Sequence, residues 1–260
     1  MDINIIRFGQ VHDSALSEIR DLVYQSYSAL GEPKGGSVTI NIYECGNAQQ
    51  FFATHDALEG RPRICIYMDR LNGLPTDVSI AGIRRQVVHS IIHGSLEYYL
   101  IKFPLDIRKI LDRHNIPYDF GNSLLYSIAM ASKEYEVTCY LRNHGFTMEQ
   151  LLYSKYILLP NDEEILAWRI SSTNRLHKVL YLVALIRDIS CAMPLLCEGN
   201  VKEEMTSLIS RKAAHLDGES QLKLNNVIYR ENEFLGTDSF VNIDVMTRMV
   251  TKEILLTEFN

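Results

Sequence analysis

The chain has 260 residues, 47% of them hydrophobic, and a net charge of −6 at pH 7. That length suits one large domain or two small ones, and that hydrophobic fraction excludes a disordered chain. The acidic balance argues against non-specific nucleic-acid or anionic-membrane binding, and no uncharged apolar run approaches the roughly 18 residues of a membrane span.

The N-terminus carries Ile3, Ile5 and Ile6 and predicts a short first strand, without the basic-then-apolar pattern of a secretory signal. Ser14 is the expected N-cap of a helix through Leu30, with its apolar stripe on Leu16, Ile19, Leu22, Val23, Tyr27 and Leu30. Val38, Ile40 and Ile42 alternate with Thr39, Asn41 and Tyr43 and predict a strand. The stretch from Glu44 to Pro62 is irregular, with a short helix or a loop expected between Ala48 and Leu58. Arg63–Asp69 reads as a further strand. A largely apolar, and therefore buried, helix is expected from Asp77 or Ser79 to about Ile101.

Pro104 redirects the chain. A short helix carries Ile107, Ile110 and Leu111, and a longer one runs from about Ser123 to Asn143, with Gly145 just past its end. Helices are expected at 147–156, 162–174 and 175–193, with Pro194 as a stop. The acids Asp162, Glu163 and Glu164 suit a helix N-terminus. Further helices are expected near 201–215 and 240–256, with a loop or short strand over 225–238. Strands confined to the first half and helices elsewhere give an α+β class. The domain reading is a core over 1–146 and a mainly helical extension over 147–260. Five cysteines (Cys45, Cys65, Cys139, Cys191, Cys197) include no C-x-x-C pair. Free thiols in a reducing, cytoplasmic setting are expected, and a zinc ribbon is not.

Chemistry concentrates in Val88-His89-Ser90-Ile91-Ile92-His93-Gly94. Histidines at i and i+4 share a helix face about 6 Å apart along the axis and can share one tetrahedral zinc ion. The HExxH motif has a glutamate after the first histidine to polarise metal-bound water; here that position is Ser90, which is no carboxylate base. A third ligand is needed. Glu97 lies about two turns from His89 on one straight helix. Glu134 and Glu136 lie on the next long helix. Glu136, sharing its face with Leu125, Ala129, Ser132 and Cys139, is preferred, with Glu134 in reserve. The competing reading is a buried hydrogen-bond network without metal. Tyr98, Tyr99, Tyr135 and Tyr140 are candidate oxyanion donors, and His55-Asp56 is a candidate lining pair.

The order strand, strand, motif helix, glutamate helix over residues 37–146 resembles the minimal core of gluzincin metallopeptidases. The run Arg84–Tyr99, with HSxxHG in place of HExxH, and Lys133-Glu134-Tyr135-Glu136-Val137-Thr138 are similar to a mainly archaeal family of minigluzincin-like proteins. The resemblance implies zinc held by His89, His93 and Glu136. It also implies a peptide-binding cleft edge on the strand before the motif helix, here Arg63–Asp69, with peptides bound by strand addition.

Three readings follow. The first is a zinc-binding pseudo-peptidase, because Ser90 removes a group contributing about 10²–10⁴-fold. The second is an active zinc hydrolase using Glu97 or Glu134 as its base. The third is a metal-free interaction scaffold.

Overall fold

The computed structural model describes residues 1–46, 51–231 and 235–259. Four strands form one sheet: β1 (Asp2–Phe8), β2 (Ser37–Tyr43), β3 (Ala53–Asp56) and β4 (Arg63–Tyr67). The helices, in chain order, are α1 (Asp13–Leu30), α2 (Met68–Leu71), α3 (Thr76–Ile92), α4 (Leu105–His114), α5 (Tyr118–Asn143), α6 (Thr147–Ile157), α7 (Asp162–Ser171), α8 (Arg175–Ser190), α9 (Lys202–Lys212), α10 (Gly218–Glu231), α11 (Ser239–Val250) and α12 (Leu256–Phe259). The chain is therefore α+β, with a small sheet and mostly helix. No helix among the described residues is long and apolar enough to cross a membrane.

Two compact units divide the chain. Unit 1 is Met1–Leu100 with Val137–Tyr153, and unit 2 is Ile101–Glu136 with Ser154–Asn260. Neither is contiguous, so the single boundary expected at residue 146 is not how the units divide. The helix α5 changes membership between Glu136 and Val137.

Unit 1 is built on the sheet, ordered β1-β2-β4-β3. β1 and β4 pair parallel to β2, and β3 pairs antiparallel to β4. Strand alternation puts Val38, Ile40, Ile42, Ile64 and Ile66 on one face, where they pack with Ile19, Val23 and Tyr27 of α1 and with Ile83 and Val87 of α3. A second apolar cluster joins Leu30, Val88, Val137 and Leu141.

The strand expected over Arg63–Asp69 stops at Tyr67, and Met68–Leu71 turns helical. The segment expected to be irregular contains β3 instead. Its Ala53, Thr54, His55 and Asp56 lack an apolar alternation, and its strand character comes from pairing with β4. The expected helix-or-loop segment begins in residues 48–50, which lie outside the described residues.

The motif helix ends at Ile92, nine residues earlier than expected. His93 leaves the helical region at φ −121°, ψ 17°. Gly94 then lies so close to the Ser90 carbonyl and to Lys34 that any Cβ would collide with both. Residues 96–99 form a separate 3-10 turn.

Unit 2 is helical. α8 packs against α7, α10 and α12, α10 against α11, and α12 against α4. Ile107, Ile110 and Leu111 are buried on α4 as their spacing predicts. α7 starts where its acids predicted, with Asn161 as N-cap accepting from the Glu164 amide. The loop or strand expected from 225 is helical through Glu231 in α10, while 232–234 fall outside the described residues. Beyond α11 a π turn over Thr251–Leu255 leads into α12.

Candidate functional site

The site in unit 1 arises because α3 carries Gln86 and His89 at i and i+3 on the side that meets β3, with His93 following as the C-cap residue. Opposite residues of an antiparallel pair share a face. His55 pairs with Ile64, so its side chain projects from the helix-covered face of the sheet. The result is a packed group of three imidazoles. His55 and His89 lie face to face, ring centroids 3.5 Å apart and planes 12° apart. Nδ1 of His89 is 3.1 Å from Nδ1 of His93. Nδ1 of His55 is 2.8 Å from Oε1 of Gln86; a carbonyl oxygen accepts, so that nitrogen carries the proton. His89 and His93 are both fully buried at 0% exposure. Tyr98 meets His93 edge-on at 5.5 Å, and Tyr99 lies tilted against His55 at 6.3 Å.

Two nitrogens bound to one tetrahedral zinc at about 2.0–2.1 Å stand roughly 3.3 Å apart. The 3.1 Å of the His89–His93 pair fits two corners of such an ion, and equally fits one imidazole N–H donating to its neighbour. His55 does not complete the set. A nitrogen ligand binds metal in its own ring plane, and the plane of His55 runs nearly parallel to that of His89, one ring thickness away. Among the described residues no three His, Cys, Asp or Glu side chains are gathered to hold a metal ion.

Ser90 belongs to a different face. Its hydroxyl donates to the Val87 carbonyl at 2.6 Å and accepts from the Tyr27 hydroxyl of α1, also at 2.6 Å. Burial pushes the Tyr27 phenol well above its usual range, with the Ser90 hydrogen bond opposing that shift, so Tyr27 keeps its proton. Ser90 thus seals the contact of α3 with α1.

The expected substitute bases are placed elsewhere. Glu97 is exposed in the 3-10 turn and accepts from Ser95 Oγ at 3.0 Å. Glu134 and Glu136 belong to unit 2. Glu136 is buried there, accepting from Ser239 Oγ and, at 2.7 Å, from Asn242 Nδ2. Lys133 beside it is buried, which pulls its ammonium down to about 8 against the opposing pull of Glu136 and Glu134. Tyr140 donates to the Leu30 carbonyl at 2.6 Å, which assigns its hydroxyl a structural bond.

The cleft edge expected on Arg63–Asp69 is corrected. β4 is bonded on one side to β2 and on the other to β3, leaving no open edge for strand addition. The strand at that margin of the sheet is β3, which carries His55. Among the described residues, His55 and Gln86 are the partners of the histidine pair that sequence reasoning weighed lightly or missed. The only local signal was His55-Asp56. The i, i+3, i+7 spacing of Gln86 marks its face but not its partner. Comparison of the chain with family models, curated proteins and solved structures found no match.

Proposed function

We propose that unit 1 is a metallopeptidase-like core, of gluzincin type, that has lost peptide hydrolysis and keeps a histidine pair for binding a divalent metal, with zinc the best-suited ion. The observation that carries this reading is the His89–His93 nitrogen separation of 3.1 Å inside a fully buried site. His89 and His93 would hold the ion. Bound zinc acidifies water and polarises carbonyl oxygens. Ser90 does not stand in for the missing base, because its hydroxyl is committed to Tyr27 and Val87, and Glu97 is exposed in the 3-10 turn. A peptide partner would join the sheet at β3, next to the histidines, by main-chain hydrogen bonding. Elemental analysis of the untagged chain, with a His89→Ala/His93→Ala variant beside it, tests the metal; a casein or peptide-library assay with added zinc tests the lost hydrolysis.

The hydrogen-bonding alternative rests on the same distance. An imidazole pair at 3.1 Å satisfies itself without metal, and the chain is then a scaffold. That reading requires zinc uptake to be absent even on titration.

A further inference from the structure

We propose that β1 is a self-association edge: two copies of this chain join by antiparallel pairing of β1 with β1, giving one continuous sheet across a two-fold axis. The inference does not depend on the metal-binding reading above. Its starting point is the order of the sheet, β1-β2-β4-β3, in which β1 is bonded on one side only. An edge strand offers a row of N–H and C=O groups to another chain, and proteins blunt such edges with short strands, proline, lysine or bulges. The opposite margin, β3, is short, at four residues. β1 has seven, Asp2–Phe8, with neither proline nor lysine, and pairs in unbroken register along its whole length. Its one basic residue, Arg7, is turned back onto its own chain, donating to the Val11 carbonyl and to Asp13. Ile6 and Phe8 are the large apolar side chains that the strands leave exposed among the described residues.

The backbone sets the register. The Glu44 amide donates to the Phe8 carbonyl at 2.9 Å, so the main chain of Phe8 faces β2. Main-chain direction alternates along a strand. Asp2, Asn4 and Ile6 therefore face β2 as well, and Ile3, Ile5 and Arg7 turn their N–H and C=O groups to the open margin. These three lie symmetrically about Ile5, the middle of the strand. Full overlap of two antiparallel copies then sets Ile5 against Ile5 and Ile3 against Arg7, for about six hydrogen bonds, two per facing pair. On the exposed face, Asn4 comes opposite Ile6, and the two Ile6 side chains meet diagonally across the axis. Asp2 comes opposite Phe8, so no like charges face each other. An apolar centre with polar ends, on a strand that complements itself, is what an isologous two-fold contact needs; it favours a second copy over a foreign segment.

The test is sedimentation velocity of the full, untagged chain over a range of concentrations, beside Ile6→Lys. The parent is expected to show a concentration-dependent monomer–dimer equilibrium. Ile6→Lys sets two ammonium groups beside the axis and is expected to raise the dimer dissociation constant about tenfold or more. Far-UV circular dichroism matching the parent shows that this variant folds. A second variant reads the register. Asn4→Cys/Ile6→Cys puts thiols on facing residues with Cα atoms about 4.5 Å apart, inside the span that a disulfide bridges. Mild oxidation is expected to yield a covalent dimer bridged between position 4 of one copy and position 6 of the other, identified by peptide mass spectrometry. A parent chain that stays monomeric at every concentration overturns the proposal. A dimer that Ile6→Lys leaves unweakened, or one that bridges none of the introduced thiols, overturns it too, because the contact then lies on another surface.

Discussion

Histidine is used in opposite ways in the two units. In unit 2, His215 Nε2 is 2.6 Å from the Tyr181 hydroxyl, and that hydroxyl also lies 3.1 Å from the Glu164 carbonyl. Trp168 packs nearby, edge-on to the imidazole. This is a closed arrangement, in which every group has a complementary neighbour of the protein's own. In unit 1 three imidazoles face one another, two in a full-overlap stack and two with nitrogens turned together. One pattern pairs unlike groups; the other sets imidazole against imidazole. The difference teaches that neighbours set a histidine's use: the partly buried His215 is paired with a phenol, while the fully buried His89 meets other imidazoles.

The largest effect that sharpens this contrast is at Ser90. Restoring a glutamate there puts an uncompensated carboxylate into the α1–α3 contact against Tyr27. Ser90→Glu is expected to cost about 3 kcal/mol or more in denaturant unfolding, and to leave peptide hydrolysis absent. A stable, proteolytic Ser90→Glu chain would show that position 90 opens to the metal site after all. Next comes Glu136→Gln, which turns one acceptor oxygen into a donor facing Ser239 or Asn242. It is expected to cost about 1–3 kcal/mol in denaturant unfolding. Tyr27→Phe removes one bond to Ser90 while that hydroxyl still donates to Val87, for an expected loss of about 1 kcal/mol by urea titration.

The smallest effect probes unit 2. Burial lowers the His215 pKa from its ordinary value of 6.5, against the opposing pull of Glu164. The unfolded chain then binds more protons in the window just below 6.5, so this contribution to stability is present above that pH and is lost as pH falls through the folded value. Stability measured from pH 7.5 to 5 should therefore decline more steeply in the parent than in His215→Gln. Parallel curves would mean that His215 is not held neutral by its surroundings.

Much of this was readable from the chain. The alternation in Val38–Ile42 and the stripe on α1 are set by local side-chain periodicity, and both elements form, although α1 starts at Asp13 with His12 at the N-cap and not Ser14. The histidine spacing likewise brought His89 and His93 together. What escaped depends on distant partners. β3 has no apolar signature and exists because β4 bonds it, so the stacking of His55 on His89 was hidden with it. The early end of α3 depends on Gly94 fitting against Ser90 and Lys34, a contact between segments some sixty residues apart. Ser90 was legible as the loss of a base, but its bond to Tyr27 needed the packing of two helices.

The most direct measurement is the metal content of the full chain, purified without affinity-tag histidines and titrated with zinc, beside the His89→Ala/His93→Ala variant. The account predicts about one zinc per chain, lost when both histidines are replaced. A parent chain that stays metal-free under zinc titration, with a stability equal to that in the absence of zinc, would contradict it and leave a metal-free scaffold.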